Sequence, residues 1–142
     1  LQDKSIIIEL TETLLIESNS DSVETLKDFR ACGMPIALDD FGTGYSSMSY
    51  LNKFDIDYLK IDRSFVSNLS PKSKENALCK AIVTMANSLG MKIIAEGIET
   101  PQQQQLLSDM GCNFGQGYHL SRPIRASALV HKLTEQNSTC IV

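Results

Sequence analysis

The sequence predicts an α/β fold with mostly parallel strands, and two observations carry that prediction. Short apolar runs recur along the chain, and most of the intervals between them carry apolar residues at helical spacing. The runs also share a design, because each contains or ends in a charged or polar group. They are Ile6-Ile7-Ile8-Glu9, Ile36-Ala37-Leu38-Asp39-Asp40, Tyr58-Leu59-Lys60-Ile61-Asp62, Ile93-Ile94-Ala95-Glu96 and Asn113-Phe114-Gly115-Gln116-Gly117-Tyr118. In a parallel α/β fold, groups at the carboxyl ends of strands converge on one face.

The elements follow in order. Residues 5–10 are β-branched and aliphatic, which suits a buried parallel strand. Val23, Leu26, Phe29 and Ala31 give residues 21–32 helical spacing, and Gly33 supplies a left-handed stop. Residues 35–39 return to strand character. The glycines of Phe41-Gly42-Thr43-Gly44-Tyr45-Ser46-Ser47 suit a bent loop, and Ser46 or Ser47 can cap a short helix ending near Phe54. Residues 57–62 form the third strand. A long helix over 74–89 presents Leu78, Ile82, Met85, Ala86 and Leu89 as its apolar stripe and stops at Gly90. Residues 92–96 are the fourth strand. Thr100-Pro101 starts the next helix, Thr as cap and Pro in the first turn, and Gly111 closes it. The fifth strand spans 113–119. Ala126 to Leu133 is a final helix, and residues 135–142 are a polar tail.

The resulting order, βαβαβαβαβα, contains no internal repeat, low-complexity run or linker. It fits a five-stranded open sheet or a portion of a (β/α) barrel, and a complete barrel needs about 250 residues. This chain has 142. At 42% hydrophobic and 21% charged, with a net charge of −4, it has the composition of one globular domain. The mild acidity argues against a general grip on nucleic acid, which needs a basic face. A small phosphate ligand held through cations stays compatible with it. Cys32, Cys79, Cys112 and Cys140 form no Cys-x-x-Cys pair, and His119 and His131 complete no zinc pattern. The thiols read as reduced, in a cytosolic domain, with Cys79 a small core residue. No run is long and apolar enough to span a bilayer, and the start at Leu1 suggests a fragment of a longer protein.

The polar groups define the chemistry. Adjacent strand residues point to opposite faces, so Asp39 and Asp40 share a site only if the strand breaks there. Together they suit two neighbouring hard cations, Mg²⁺ or Mn²⁺, with Asp39 bridging. Alternatively Asp40 caps the next turn. A carboxylate at Glu9 needs a metal or a cation beside it. Glu12 is a second ligand or, preferably, pins the glycine loop through backbone N–H groups, while its plain reading is a helix N-terminal acid. Lys60 lies inside an apolar strand and needs a partner. It can orient a water or offset phosphate charge, or it can pair with Asp62, which also suits capping a turn. Glu96 can hold a second metal or take a proton from an attacking water. Glu99 sits in the following loop, within reach of a substrate. Gln116 lies between two glycines that let a ligand approach. His119 reads as structural.

These motifs resemble those of the EAL domain, a family of bacterial phosphodiesterases specific for cyclic-di-GMP. The resemblance rests on Glu9-Leu10-Thr11-Glu12, the stretch from Asp39 to Ser47, Lys60-Ile61-Asp62, Ala95-Glu96-Gly97-Ile98-Glu99-Thr100, and Gln116-Gly117-Tyr118 followed by Pro123. It implies a modified TIM barrel and two-metal hydrolysis of one phosphodiester bond, giving linear pGpG. Glu9 and Asp39 then resemble ligands of one metal, and Asp39 and Asp40 ligands of the other. Lys60 resembles the residue that orients the nucleophilic water, and Glu96 a metal ligand or general base. Glu99 and Gln116 resemble residues near substrate or metal water. Glu12 resembles the anchor of the loop that carries Gly42 and Gly44, which the family links to dimerisation.

The resemblance also implies a departure. The Glu-Ala-Leu strand and a metal-binding Asn that precede these motifs in the family have no counterpart here. Residues 1–134 are therefore expected to be the carboxy-terminal part of the barrel. The expected partners are cyclic-di-GMP and a second copy of the chain. The expected location is the cytoplasm, with a parent protein that can be anchored at the inner membrane. A receptor that holds cyclic-di-GMP without cleaving it is the alternative.

Overall fold

The computed structural model describes residues 6–16, 20–42, 51 and 54–129. Five strands form one parallel sheet in sequential order: β1 (Ile8–Thr11), β2 (Ile36–Phe41), β3 (Tyr58–Ile61), β4 (Lys92–Ala95) and β5 (Phe114–Gly115). Among the described residues the helices are α1 (Glu12–Ile16), α2 (Ser20–Ala31), α3 (Arg63–Ser67), α4 (Lys74–Ser88), α5 (Pro101–Met110) and a last short turn over 126–129. Each strand adds beside the one before it. That is the winding of a (β/α) barrel rather than of a doubly wound sheet, whose strand order reverses.

The register separates the two faces. Leu10, Leu38, Leu59 and Ile93 lie level, as do Ile61, Ala95 and Gly115. Leu38, Leu59, Ile61, Ile93 and Ala95 are essentially sealed and share one core with Leu26, Val66, Cys79, Ile82, Val83, Ala86 and Leu107 of the helices. The alternate positions, Glu9, Asp39, Tyr58, Lys60, Ile94 and Phe114, fall on the other face. There the Tyr58 and Phe114 rings pack at a tilt, with centroids 6.0 Å apart, and the Lys92 ammonium lies over Phe114.

Several details differ from the sequence reading. The first strand begins at Ile8, two residues after the apolar run does; Ile6 and Ile7 are exposed, and among the described residues only β2 flanks β1. The fifth strand is two residues long, and the chain turns at Tyr118–Leu120 instead of continuing. On α4 the buried residues are Cys79, Ile82, Val83 and Ala86, a clean i, i+3, i+4, i+7 stripe, while Leu78 and Leu89 face solvent. Two helices, α1 and α3, occupy stretches to which the sequence reading assigned no element, and α1 opens on Glu12, in keeping with that residue's reading as a helix N-terminal acid. The helix expected before Phe54 lies, Leu51 apart, outside the described residues. So do Gly44, His131, Cys140, the end of the last helix and the tail.

Helix ends follow their expected chemistry. Thr100 and Gln103 form a reciprocal capping box on α5, Pro101 occupies its first turn, and Gly111 ends it at φ 97°. Asp62 caps α3 through the Ser64 N–H at 2.9 Å. Burial pushes the Cys79 thiol up to about 11 and the Cys112 thiol up to about 12. Among the described residues no helix is long and apolar enough to cross a membrane.

Candidate active site

Three strands and one strand end deliver a cluster to the carboxyl edge of the sheet. The Lys60 ammonium on β3 meets Glu96 Oε1 at 2.7 Å, Glu9 Oε2 at 2.8 Å and Asp39 Oδ2 at 3.0 Å. The lysine side chain is 5% exposed, against 51% for Glu9, 22% for Asp39 and 18% for Glu96. The cation therefore sits at the bottom and the acids rise around it. Burial alone lowers the Lys60 pKa. Its hydrogen bonds with Glu9, Glu96 and Asp39 outweigh that, and the ammonium is held well above lysine's ordinary range. The Lys60–Asp62 pairing considered from sequence is replaced by this cluster, since Asp62 is engaged in capping α3.

The cluster extends to either side. Gln116 Nε2 donates to Glu96 Oε1 at 2.7 Å, which brings β5 into the same rim. Between Leu38 and Phe41 the β2–β3 register shifts, and Asp40 adopts φ 56°. The ladder is thus irregular at the paired acids, while β2 itself continues to Phe41. Asp tolerates this left-handed conformation better than most residues, and the Asp40 N–H donates to Asp39 Oδ1 at 2.9 Å.

Glu12 is 8% exposed and accepts from the Gly42 N–H at 3.4 Å, while its Oε1 is buried without a hydrogen-bond partner among the described residues. Glu99 stands apart from the cluster and pairs with Arg63 at 2.7 Å. His119 is exposed, its Nε2 3.1 Å from Gln104 Oε1.

Glu9, Asp39 and Glu96 bring oxygen donors to one point, and such donors suit a hard divalent cation. As they stand, the Lys60 ammonium occupies that point. Among the described residues no group of three His, Cys, Asp or Glu side chains is arranged so that it could hold a metal ion in these side-chain positions. The donor chemistry fits a divalent ion, and the carboxylates that would hold it are those now turned to Lys60. A cleft of about 650 Å³ opens at the opposite end of the strands, where Arg30, Asp57, Tyr58 and Lys92 line it, and it contains none of these groups.

Sequence reasoning missed Gln103, although Thr-x-x-Gln is the signature of its capping box. Nothing in the sequence marks Arg63 as the partner of Glu99.

A (β/α)-barrel-type domain with an acidic rim at the carboxyl ends of its strands is the class that this fold and site define. The chain belongs to the EAL domain family, whose model matches residues 1–123. It is 42% identical over 130 residues to the bifunctional diguanylate cyclase/cyclic di-GMP phosphodiesterase MucR of Pseudomonas aeruginosa, covering 92% of this chain and 19% of that protein. It is 40% identical over 122 residues to the cyclic di-GMP phosphodiesterase NbdA of the same organism, covering 86% of this chain and 16% of that protein. The chain thus spans less than a fifth of either relative. The structure of the MucR phosphodiesterase in complex with c-di-GMP superposes with a TM-score of 0.84 at 42% identity, over 91% of this chain and 57% of that one. The manganese/cy-diGMP complex of Klebsiella pneumoniae BlrP1 gives 0.78 at 35% identity, over 87% and 31%.

Proposed function

We propose that this chain carries the later strands of a cyclic-di-GMP phosphodiesterase barrel, which hydrolyses one phosphodiester bond to give linear pGpG. The observation that carries the reading is the convergence of Glu9, Asp39 and Glu96 on Lys60. Membership of the family and the names of the relatives support the substrate, and the BlrP1 complex supports a divalent metal.

Glu9, Asp39, Asp40 and Glu96 would hold two ions, Mg²⁺ or Mn²⁺. When bound, such a pair lowers the pKa of a water and stabilises both the attacking and the leaving oxygen of an in-line displacement. The residues themselves divide the remaining work. Lys60, a fixed cation, hydrogen-bonds and orients the water. Glu96, which accepts from Gln116, holds the second ion or takes a proton from the water. Gln116 and Glu99 flank the substrate. Glu12 anchors the loop carrying Gly42 and Gly44.

A dianionic dinucleotide gains little from a chain with net charge −4 unless cations mediate the contact. The reading includes a cytoplasmic location; it also includes self-association, which the exposed Ile6 and Ile7 ahead of β1 support.

The test is turnover of cyclic-di-GMP by the complete protein with Mn²⁺ or Mg²⁺, followed by chromatography of product. Linear pGpG formed with metal and absent with chelator is expected. Tight binding without product would favour the receptor reading.

A further inference from the structure

Gln103 lies outside the carboxylate cluster and is 6% exposed. Its amide uses its whole hydrogen-bonding capacity of two donors and two acceptor lone pairs. Oε1 accepts from the Glu99 N–H at 2.8 Å and the Thr100 N–H at 3.0 Å. Nε2 donates to the Val66 carbonyl at 2.9 Å and the Ser67 carbonyl at 3.3 Å. A capping box needs only the Thr100 contact. The other three reach past the helix and join the segment after Glu96 to the end of α3.

That segment is the bridge between the strands of the rim. The Glu96 N–H donates to the Ile61 carbonyl at 3.1 Å, beside Lys60, and the Ile98 N–H donates to the Gln116 carbonyl at 3.1 Å. Gly97, at φ 68°, lies between them. On its other side α3 is fixed to the end of β3 by the Asp62 cap. Gln103 therefore closes a loop of contacts that contains Lys60, Glu96 and Gln116.

We propose that Gln103 is a positioning residue for the rim: it sets where Glu96 and Gln116 stand relative to Lys60 while touching no reacting atom. The proposal rests on the phosphodiesterase reading. Without this amide the Glu99 and Thr100 N–H groups lose their buried acceptor, and the glycine-containing segment gains freedom. Displacements of about 1 Å from residues remote from the chemistry cost about 100-fold in rate.

The experiment uses the complete protein with Mn²⁺ and compares wild type with Gln103→Met and Gln103→Glu. The first keeps the volume and removes all the amide's contacts. The second keeps the acceptors facing Glu99 and Thr100. Steady-state hydrolysis, thermal unfolding and amide hydrogen exchange of peptides covering 96–100 are measured together.

Gln103→Met should lower kcat about 10- to 100-fold with KM within about three-fold, and raise exchange over 96–100. Gln103→Glu should recover part of both. Wild-type kcat in Gln103→Met overturns the proposal. So does a loss that Gln103→Glu fails to recover while both variants melt close to wild type. If Gln103→Met does not fold, Gln103→Glu decides: reduced kcat with raised exchange supports the role, and wild-type values of either overturn it. A wild-type protein that leaves cyclic-di-GMP intact overturns the phosphodiesterase reading instead, and the exchange measurement still decides whether Gln103 holds the segment.

Discussion

Lys60 Nζ and Asp39 Oδ2 stand 3.0 Å apart, and that pair is one arm of a clamp in which three carboxylates share a single buried ammonium. Removing the ammonium leaves like charges facing one another. Lys60→Met, with chelator present, should therefore cost about 3 kcal/mol, the low end for breaking a buried pair because Glu9 is half exposed. The lysine pKa is raised on folding. Its stabilisation is complete below the unfolded value of about 10.4 and is lost as pH climbs from there through the folded value. Denaturant unfolding should show a constant gap between wild type and Lys60→Met from about pH 6 to about pH 9, narrowing by about pH 11.

Asp40→Asn isolates a charge without disturbing the backbone, because Asn tolerates the φ 56° conformation as well as Asp does. Melting should be unchanged within about 0.5 kcal/mol. In the complete protein, kcat should fall about 100-fold while substrate affinity changes by less than about three-fold, as for a group needed mostly in the transition state. Equal losses in both would show that Asp40 is a binding group.

Gly117 lets β5 pass close to the rim segment. A Cβ there would meet the Ile98 backbone N and O at 2.2 Å, and backbone cannot rotate aside. Gly117→Ala should destabilise by about 2–3 kcal/mol and pull Gln116 away from Glu96. Gly90→Ala is the control. Its Cβ would meet nothing within 4 Å, and only the φ 75° conformation resists, so about 1 kcal/mol is expected. Paired thermal melts compare the two, and similar losses would remove the steric argument.

Partial burial pushes the Asp62 carboxyl up, but hydrogen bonds from the Ser64 hydroxyl and from the Ser64 and Arg63 N–H groups prevail and hold it below the usual carboxylate range. A depressed carboxylate stabilises fully above its unfolded value, about 3.9, and that contribution disappears as pH falls through the folded value. Asp62→Ala should therefore cost about 1 kcal/mol at neutral pH. The cost should shrink steadily below about pH 4. A gap that persists undiminished in acid would mean that the cap works without its charge.

The three central strands were legible because their apolar runs obey the pattern of a buried parallel strand, and the polar interruptions marked where Asp39, Lys60 and Glu96 would stand. An irregularity near Asp39-Asp40 was legible in part, because two adjacent strand residues point to opposite faces unless the backbone bends and Gly42 follows closely. The mutual arrangement of the groups was not. Nothing local to Lys60 tells that Glu9, fifty-one residues earlier, is its partner, because that pairing depends on strand order. Nor was the pairing of Glu99 with Arg63 legible, because the sequence reading assigned no element to the stretch that forms α3. Leu78 misled because a strong apolar residue beside the true stripe is indistinguishable from a member of it until the helix is docked.

The sequential winding of the sheet has one more consequence. Each successive strand supplies its own share of the polar apparatus, Glu9 from β1, Asp39 from β2, Lys60 from β3, Glu96 after β4 and Gln116 after β5. Substitution at any one of these five positions therefore removes a single contributor to the rim while the strands that carry the other four keep their pairing.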